Sequence, residues 1–291
     1  MSQPDINYPH LAQRLFNVPL ALHPGKAEVV VAALADRFGL ARLFKPSGEV
    51  VSLASVDLDS AAEAVWTPYQ VVQGVAIIPV HGTLVQKLGT LRPFSGMTGY
   101  DGIRANISLA ANDDAVRALV YDIDSGGGEV AGCFDLADAM FEIRGHKPQW
   151  AILSESAYSA AYVLASPADK IIVPRTGGTG SAGVISMHVD FSKALEEDGV
   201  DITLVTSGAR KADGHFSKPL SKTALDRLQD DVDTMAEILF ETVGRNRGLA
   251  ASKVRKTEAA TFLGAKGVEI GFADAVMAPD AAFRALLDEL G

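Results

Sequence analysis

The stretch SESAYSAAYVLAS, Ser154 to Ser166, places a serine hydroxyl, Ser159, directly before two small residues, Ala160 and Ala161. The pattern predicts a strand ending at Ser154 and a helix beginning near Tyr158. Ser159 then falls in the first helical turn, near the positive end of the helix. A serine there can cap the helix, or it can serve as a nucleophile with room beside it for a substrate carbonyl. A second stretch, DSGGGEVAG from Asp124 to Gly132, sets three glycines between a buried apolar run and a helical one. Glycine lets the backbone approach a ligand and turn its amides outward, which suits an anion or a developing oxyanion. The spacings of the mononucleotide and dinucleotide phosphate loops are both missing. A tight strand-to-helix turn with no ligand also satisfies this stretch. Taken together, a hydroxyl at one such turn and outward amides at another are the two halves of an acyl-transfer site.

A serine needs a base. The histidines are His10, His23, His81, His146, His188 and His215. Among them His188, at the end of VISMH with Asp190 close behind, fits a triad. The other candidate is Lys211 in TSGARKADG, a loop just past a predicted strand, between Gly208 and Gly214. Lysine ordinarily titrates near ~10.4, too high for a base at neutral pH. Burial disfavours its charged form and brings that value down. A solvated loop lysine is the plain alternative, and the residues alone leave both bases open.

These turns need a scaffold that brings them to one edge. From Gln70 onward, β-rich runs alternate with helical ones. VVQGVAIIPVHGTLV (Val71 to Val85), VRALVYDID (Val116 to Asp124), QWAILS (Gln149 to Ser154), DKIIVP (Asp169 to Pro174), VISMHVD (Val184 to Asp190) and DITLVTSG (Asp201 to Gly208) read as strand-rich. YDGIRANISLAANDD (Tyr100 to Asp114), VAGCFDLADAMFEIR (Val130 to Arg144), FSKALEEDG (Phe191 to Gly199) and a long run from about Ser221 to Arg247 read as helices. This order predicts an α/β domain with a largely parallel sheet. Right-handed crossovers then gather the strand-to-helix turns on the edge where ligands bind. Residues 1–65 read as a helical N-terminal attachment, with helices at Pro24 to Gly39 and Leu58 to Pro68 and a turn at Lys45 to Glu49.

The chain has 291 residues and a formal charge of −10. That acidity argues against nucleic acid as a partner, because phosphate contacts need clustered Lys and Arg. The one cysteine, Cys133, makes no intramolecular disulfide and no zinc site, and reads as a buried small residue in a reducing compartment. The longest apolar runs, such as VVVAALA at Val29 to Ala35, are too short for a membrane span, and the N-terminus lacks a basic start followed by an apolar run. A cytoplasmic protein with no membrane contact is expected.

Read in order, six pieces carry a family likeness: SGMTGY (Ser95 to Tyr100), DSGGGEVAG, SAAYVLAS (Ser159 to Ser166), TGSAGV (Thr179 to Val184), LEEDGVDITLVTSGARKADG (Leu195 to Gly214) and TEAATFLGAKGVEIGFADAV (Thr257 to Val276). They resemble the S49 serine peptidases of the signal-peptide-peptidase A clan, within the wider ClpP/crotonase fold. The likeness runs in particular to the family's phage branch, which serves head assembly in lambda-type phages. It covers nearly the whole chain and implies a peptidase domain over residues 70–278, with 279–291 as a C-terminal tail. It implies a Ser–Lys dyad, with Ser159 on the nucleophile position and Lys211 on the base position. The amides of Gly127 and Ala160 fall where the oxyanion hole is expected, with Gly128 shaping the turn; His188 is the alternative base. Two positions depart from the common pattern: Gly126 stands for the usual proline, and Ala160 and Ala161 stand for a frequent glycine pair. Neither removes a main-chain donor. The likeness further implies a homo-oligomer without metal or organic cofactor. Its substrates or assembly partners are phage scaffold, capsid and portal proteins and the chain itself, met in the host cytoplasm or the procapsid interior. The membrane anchor usual in the cellular peptidases has no counterpart here, and a scaffold extension of the lambda type would lie beyond Gly291. Three other readings stay open: a cellular cytoplasmic peptidase, a crotonase-type acyl-CoA enzyme, and a catalytically idle scaffold or portal-binding protein.

Overall fold

The structure, a computed structural model, describes residues 18–23 and 68–291. The helices and turn expected between Pro24 and Pro68 lie outside the described residues. In chain order the strands are β1 (Leu20–Leu22), β2 (Gln70–Val72), β3 (Val75–Val85), β4 (Met97–Gly99), β5 (Ala118–Glu129), β6 (Gln149–Tyr158), β7 (Lys170–Val173), β8 (Gly178–Gly180), β9 (Thr261–Leu263) and β10 (Ala275–Val276). The helices are α1 (Tyr100–Ala111), α2 (Cys133–Glu142), α3 (Ala160–Ala165), α4 (Ser192–Glu197), α5 (Lys222–Arg247), α6 (Ala251–Arg255), α7 (Ala265–Glu269) and α8 (Pro279–Leu290).

The sheet runs β10-β7-β6-β5-β3-β2, with every pair from β10 to β3 parallel. That is the expected α/β class. Parallel strands covered on both faces must be apolar on both, and the period of two divides their side chains between two cores. Ile78, Val80, Leu119, Tyr121, Ile123, Ala151 and Leu153 point into the larger one, shared with buried residues of α1, α2, α3 and α5. Val75, Ala118, Val120, Trp150, Ile152 and Ile172 point into the other, which Ala282 and Leu286 of α8 close. Residues 279–291, set apart above as a tail, therefore cover one face of the sheet. Lys170 ties β7 to this helix through Glu289 at 2.6 Å and lies over the Trp150 ring.

Several expected elements take a different form. The glycine run is not a strand-to-helix turn. It continues β5 as far as Glu129, and α2 starts only at Cys133, behind a left-handed Gly132. Close packing is the reason: a Cβ on Gly128 would stand 1.8 Å from the Leu84 carbonyl oxygen, so β3 and β5 meet this tightly only because that side chain is missing. The register slips on both sides of this point, between His81 and Thr83 on β3 and between Ile123 and Ser125 on β5. Strand β6 reaches Tyr158, four residues beyond the expected end. Neither Val184 to Asp190 nor Asp201 to Gly208 forms a strand, apart from an antiparallel bridge at Ile185. The second run alternates as a strand should, yet among the described residues no sheet edge pairs its backbone, and Val205 is left 94% exposed. α5 begins as expected, capped by Ser221, whose hydroxyl accepts from the Ala224 amide.

Candidate active site

Ser159 joins β6 to α3 at φ 55° and ψ −120°. A residue with a Cβ meets steric strain there, of the order of 1–3 kcal/mol, and holds the position only if its surroundings fix it. They do so from both sides. The Ser159 amide donates to the Gly180 carbonyl of β8 at 2.8 Å, and its carbonyl accepts from the Val163 amide at 3.0 Å. Tyr158 packs its hydroxyl where a Cβ of Gly178 would stand, so that glycine lets β8 lie against β6. Behind the serine, Ala160 and Ala161 are fully buried, small enough for α3 to press against the sheet. The Ser159 side chain makes no capping bond; its hydroxyl donates to the Gly183 carbonyl at 3.3 Å, and the residue is 1% exposed. The hydroxyl is thus engaged with Gly183 and does not cap the helix.

Gly127 faces this elbow. Its φ of 98° suits glycine, and a Cβ on it would lie 3.1 Å from the Ala160 nitrogen and 3.0 Å from the Tyr158 carbonyl oxygen. The two expected oxyanion donors thus belong to neighbouring backbones, although Gly127 reaches this place on a strand and not at a helix start. In this arrangement the Gly127 amide donates to the Ser125 hydroxyl at 3.1 Å, which itself donates to the Gly82 carbonyl at 2.6 Å. Cys133 is buried behind α3, with its thiol near the Ala160 carbonyl and pushed up to about 12 by burial, so it is chemically quiet.

The base candidates lie further along the chain, beyond Gly183. Lys211 sits in consecutive turns between Gly208 and Gly214, exposed, and among the described residues its ammonium makes no hydrogen bond or ion pair. His188 is half-buried on the irregular run after Gly183. Its neighbour Asp190 has a carboxyl held below its ordinary value by the Ser192 amide and hydroxyl, with the His188 charge adding to the effect.

One polar group escaped the reading of the motifs. His81 on β3, Asp122 on β5 and Ser154 on β6 come together across adjacent strands. His81 Nε2 lies 3.0 Å from Asp122 Oδ2, and Ser154 Oγ donates to Asp122 Oδ1. With Gly82, Asp124, Ser125 and Gly126, His81 and Ser154 line a cavity of about 370 Å³ beside the glycine run. The hydrogen bond to Asp122 raises the His81 pKa. Burial opposes ionisation of Asp122, but the bonds from His81 and Ser154 outweigh it and lower that pKa. The signal was present as polar residues inside buried runs, VHG and YDID. The Asp sits between the other two, so the serine faces the carboxylate and not the imidazole.

Ser159 thus stands strained on a strand–helix elbow of an α/β fold, with its following amide opposed by a glycine backbone. The sequence profile of Peptidase family S49 matches residues 142–291, and the chain belongs to that family. Among curated proteins it is 42% identical over 274 residues to Head-tail preconnector protein GP5 of Enterobacteria phage P21, covering 92% of this chain and 55% of that one. It is 39% identical over 293 residues to Capsid assembly protease C of Escherichia phage lambda, covering 98% and 66%. Protease 4 of Haemophilus influenzae is 25% identical over 210 residues, 72% of this chain and 33% of that one. The chain thus spans between about half and two-thirds of the length of its two phage relatives. Among solved structures, an enoyl-CoA hydratase from Shewanella pealeana superposes at a TM-score of 0.45 with 11% identity, covering 76% of this chain and 72% of that one. No helix among the described residues is long and apolar enough to cross a membrane.

Proposed function

We propose that this chain is a serine endopeptidase that cleaves scaffold and capsid proteins, and its own chain, during phage head assembly. The observation that carries the reading is the strained Ser159 elbow with Gly127 set against the Ala160 amide. Strain at a buried serine that caps nothing has no structural use, whereas a nucleophile must be held in one place. Ser159 Oγ attacks the scissile carbonyl while neutral Lys211 takes its proton. The Ala160 and Gly127 amides receive the oxyanion, the second after leaving Ser125. Lys211 then protonates the leaving amine, and water, deprotonated by the same lysine, releases the acyl group. No step calls for a metal or an organic cofactor. Family membership and the likeness to the two phage proteins support this substrate class. With such substrates the work falls in the host cytoplasm and the procapsid interior, and the portal protein is a further assembly partner in this reading.

Co-expression with the neighbouring capsid and scaffold genes, read by mass spectrometry, tests this. Defined cleavage products are expected with the wild-type chain and none with Ser159→Ala. The same products from both chains overturn the assignment of Ser159. Intact partners with the wild-type chain, despite assembled heads, overturn the peptidase role.

A further inference from the structure

Strand β1 occupies an unusual place. Leu20, Ala21 and Leu22 pair antiparallel with Glu129, Gly128 and Gly127, the glycine run beside Ser159. The His23 amide extends this pairing by donating to the Gly126 carbonyl at 2.8 Å. On its other edge Leu20 exchanges two hydrogen bonds with Ile185, of 2.8 and 2.9 Å, two residues beyond the carbonyl that holds the Ser159 hydroxyl. A short segment far from the sheet strands in sequence is thus laid between the two backbones that border the serine.

Its side chains divide by face, as a strand requires. Leu20 and Leu22 are 2% and 3% exposed and pack with Val18 against Ile185 and Met187. Ala21 points the other way, fully buried, and its carbonyl oxygen lies 2.3 Å from where a Cβ of Gly127 would stand, the point that the Ala160 nitrogen approaches to 3.1 Å. The His23 ring packs, tilted by 33°, against Tyr158, the residue before the serine, with ring centroids 5.1 Å apart. A peptide carbonyl is therefore already delivered to the corner that the Gly127 and Ala160 backbones share. Main-chain pairing on two edges with alternating side-chain pockets is how a groove takes an extended peptide.

Resting on the reading of Ser159 as nucleophile, we propose that the slot filled by Leu20–Leu22 is the peptide groove of this site, and that residues 18–23 are a built-in strand competing with substrate for it. The groove's chemistry follows from its occupant. It takes extended peptides with aliphatic side chains at alternate positions and a small residue between them, because the Ala21 side chain is fully buried in the main core and leaves a larger one no free space. Substrate enters as the resident strand leaves, so the free chain works below its capacity.

The test uses the full-length chain. In Leu20→Asp/Leu22→Asp the two carboxylates disfavour the buried strand, and Ser159 labelling by a fluorophosphonate is expected to be at least tenfold faster than in wild type. A synthetic Val18–His23 peptide is expected to slow labelling of this variant and to affect wild type less. Equal labelling rates in two folded proteins overturn the competitor, whereas no Ser159 adduct in either one overturns the catalytic reading instead. If the variant does not fold, hydrogen exchange on wild type decides: the Leu20 and His23 amides are expected to be protected and to lose protection when excess peptide displaces the strand. Unchanged protection at saturating peptide overturns the proposal.

Discussion

At Ser159 two opposed effects can be separated by substitution. Ser159→Ala keeps a Cβ at φ 55° and loses one long hydrogen bond to Gly183, so its stability should lie within about 1 kcal/mol of wild type. Ser159→Gly removes the steric strain, and glycine accepts this backbone freely; it should be more stable than Ser159→Ala by about 1 kcal/mol. Both should be devoid of peptidase activity. Thermal denaturation beside a peptide assay checks this, and a glycine variant less stable than the alanine one contradicts the strain. The base is decided in the same way. With Lys211 as base, Lys211→Ala should abolish turnover and His188→Ala should cost less than about tenfold. The rate should keep rising with pH beyond the range where a histidine has finished titrating. A profile that levels off near neutral pH, with His188→Ala inactive, moves the chemistry to a triad.

Individual elements show what the sequence could and could not disclose. The sequence singled out the residues of the elbow only in combination, a hydroxyl before two small residues paired with three glycines in a row, with the family likeness assigning their roles. The shape of the glycine run was not legible, because what fixes it is the Leu84 carbonyl of a neighbouring strand, distant in sequence and pressed against Gly128. Likewise DITLVTSG carries a strand's alternation but no sign that a sheet edge is missing, since alternation specifies a face and not a partner. Across β3 and β5 the His81–Asp122 pair was hidden for a related reason: strand register, not spacing, brings it together. Its pH dependence has a definite sign. The Asp122 pKa is lowered from 3.8, so its contribution to stability is present above that value and lost as pH falls through the lowered one. The His81 pKa is raised from 6.5, so its contribution is present below that value and lost as pH rises through the raised one. The difference in melting temperature between wild type and Asp122→Asn should therefore be largest between about pH 4 and 6.5 and shrink on the alkaline side. A difference independent of pH rules out the ionised pair.

For the whole molecule, the position of Lys211 is the central fact. Ser159 lies in the core, while Lys211 lies on an exposed turn in a stretch whose apolar side chains face outward: Val200, Val205, Phe216 and, at the start of α5, Leu225. A second copy of the chain covering these apolar side chains would bury them and would set its lysine against the serine of its neighbour. Burial by such contact would disfavour the charge on Lys211, since desolvation lowers a lysine's pKa and only the neutral amine accepts a proton. A dilute chain would then be idle, and concentration inside a procapsid would turn it on by mass action. Activity should accordingly rise more steeply than in proportion to protein concentration. Mixing inactive chains isolates the geometry. Ser159→Ala and Lys211→Ala chains reassembled together should recover part of the wild-type rate, because some interfaces then set an intact serine against an intact lysine. The recovered fraction should follow the mixing ratio and peak near equal amounts, which separates pairing across an interface from a trace of contaminating wild type. Mixed oligomers that form, as shown by mass spectrometry of differently tagged chains, and yet stay inactive at every ratio would place the serine and its base within one chain, the Lys211 turn then having to fold over Ser159 of its own protomer.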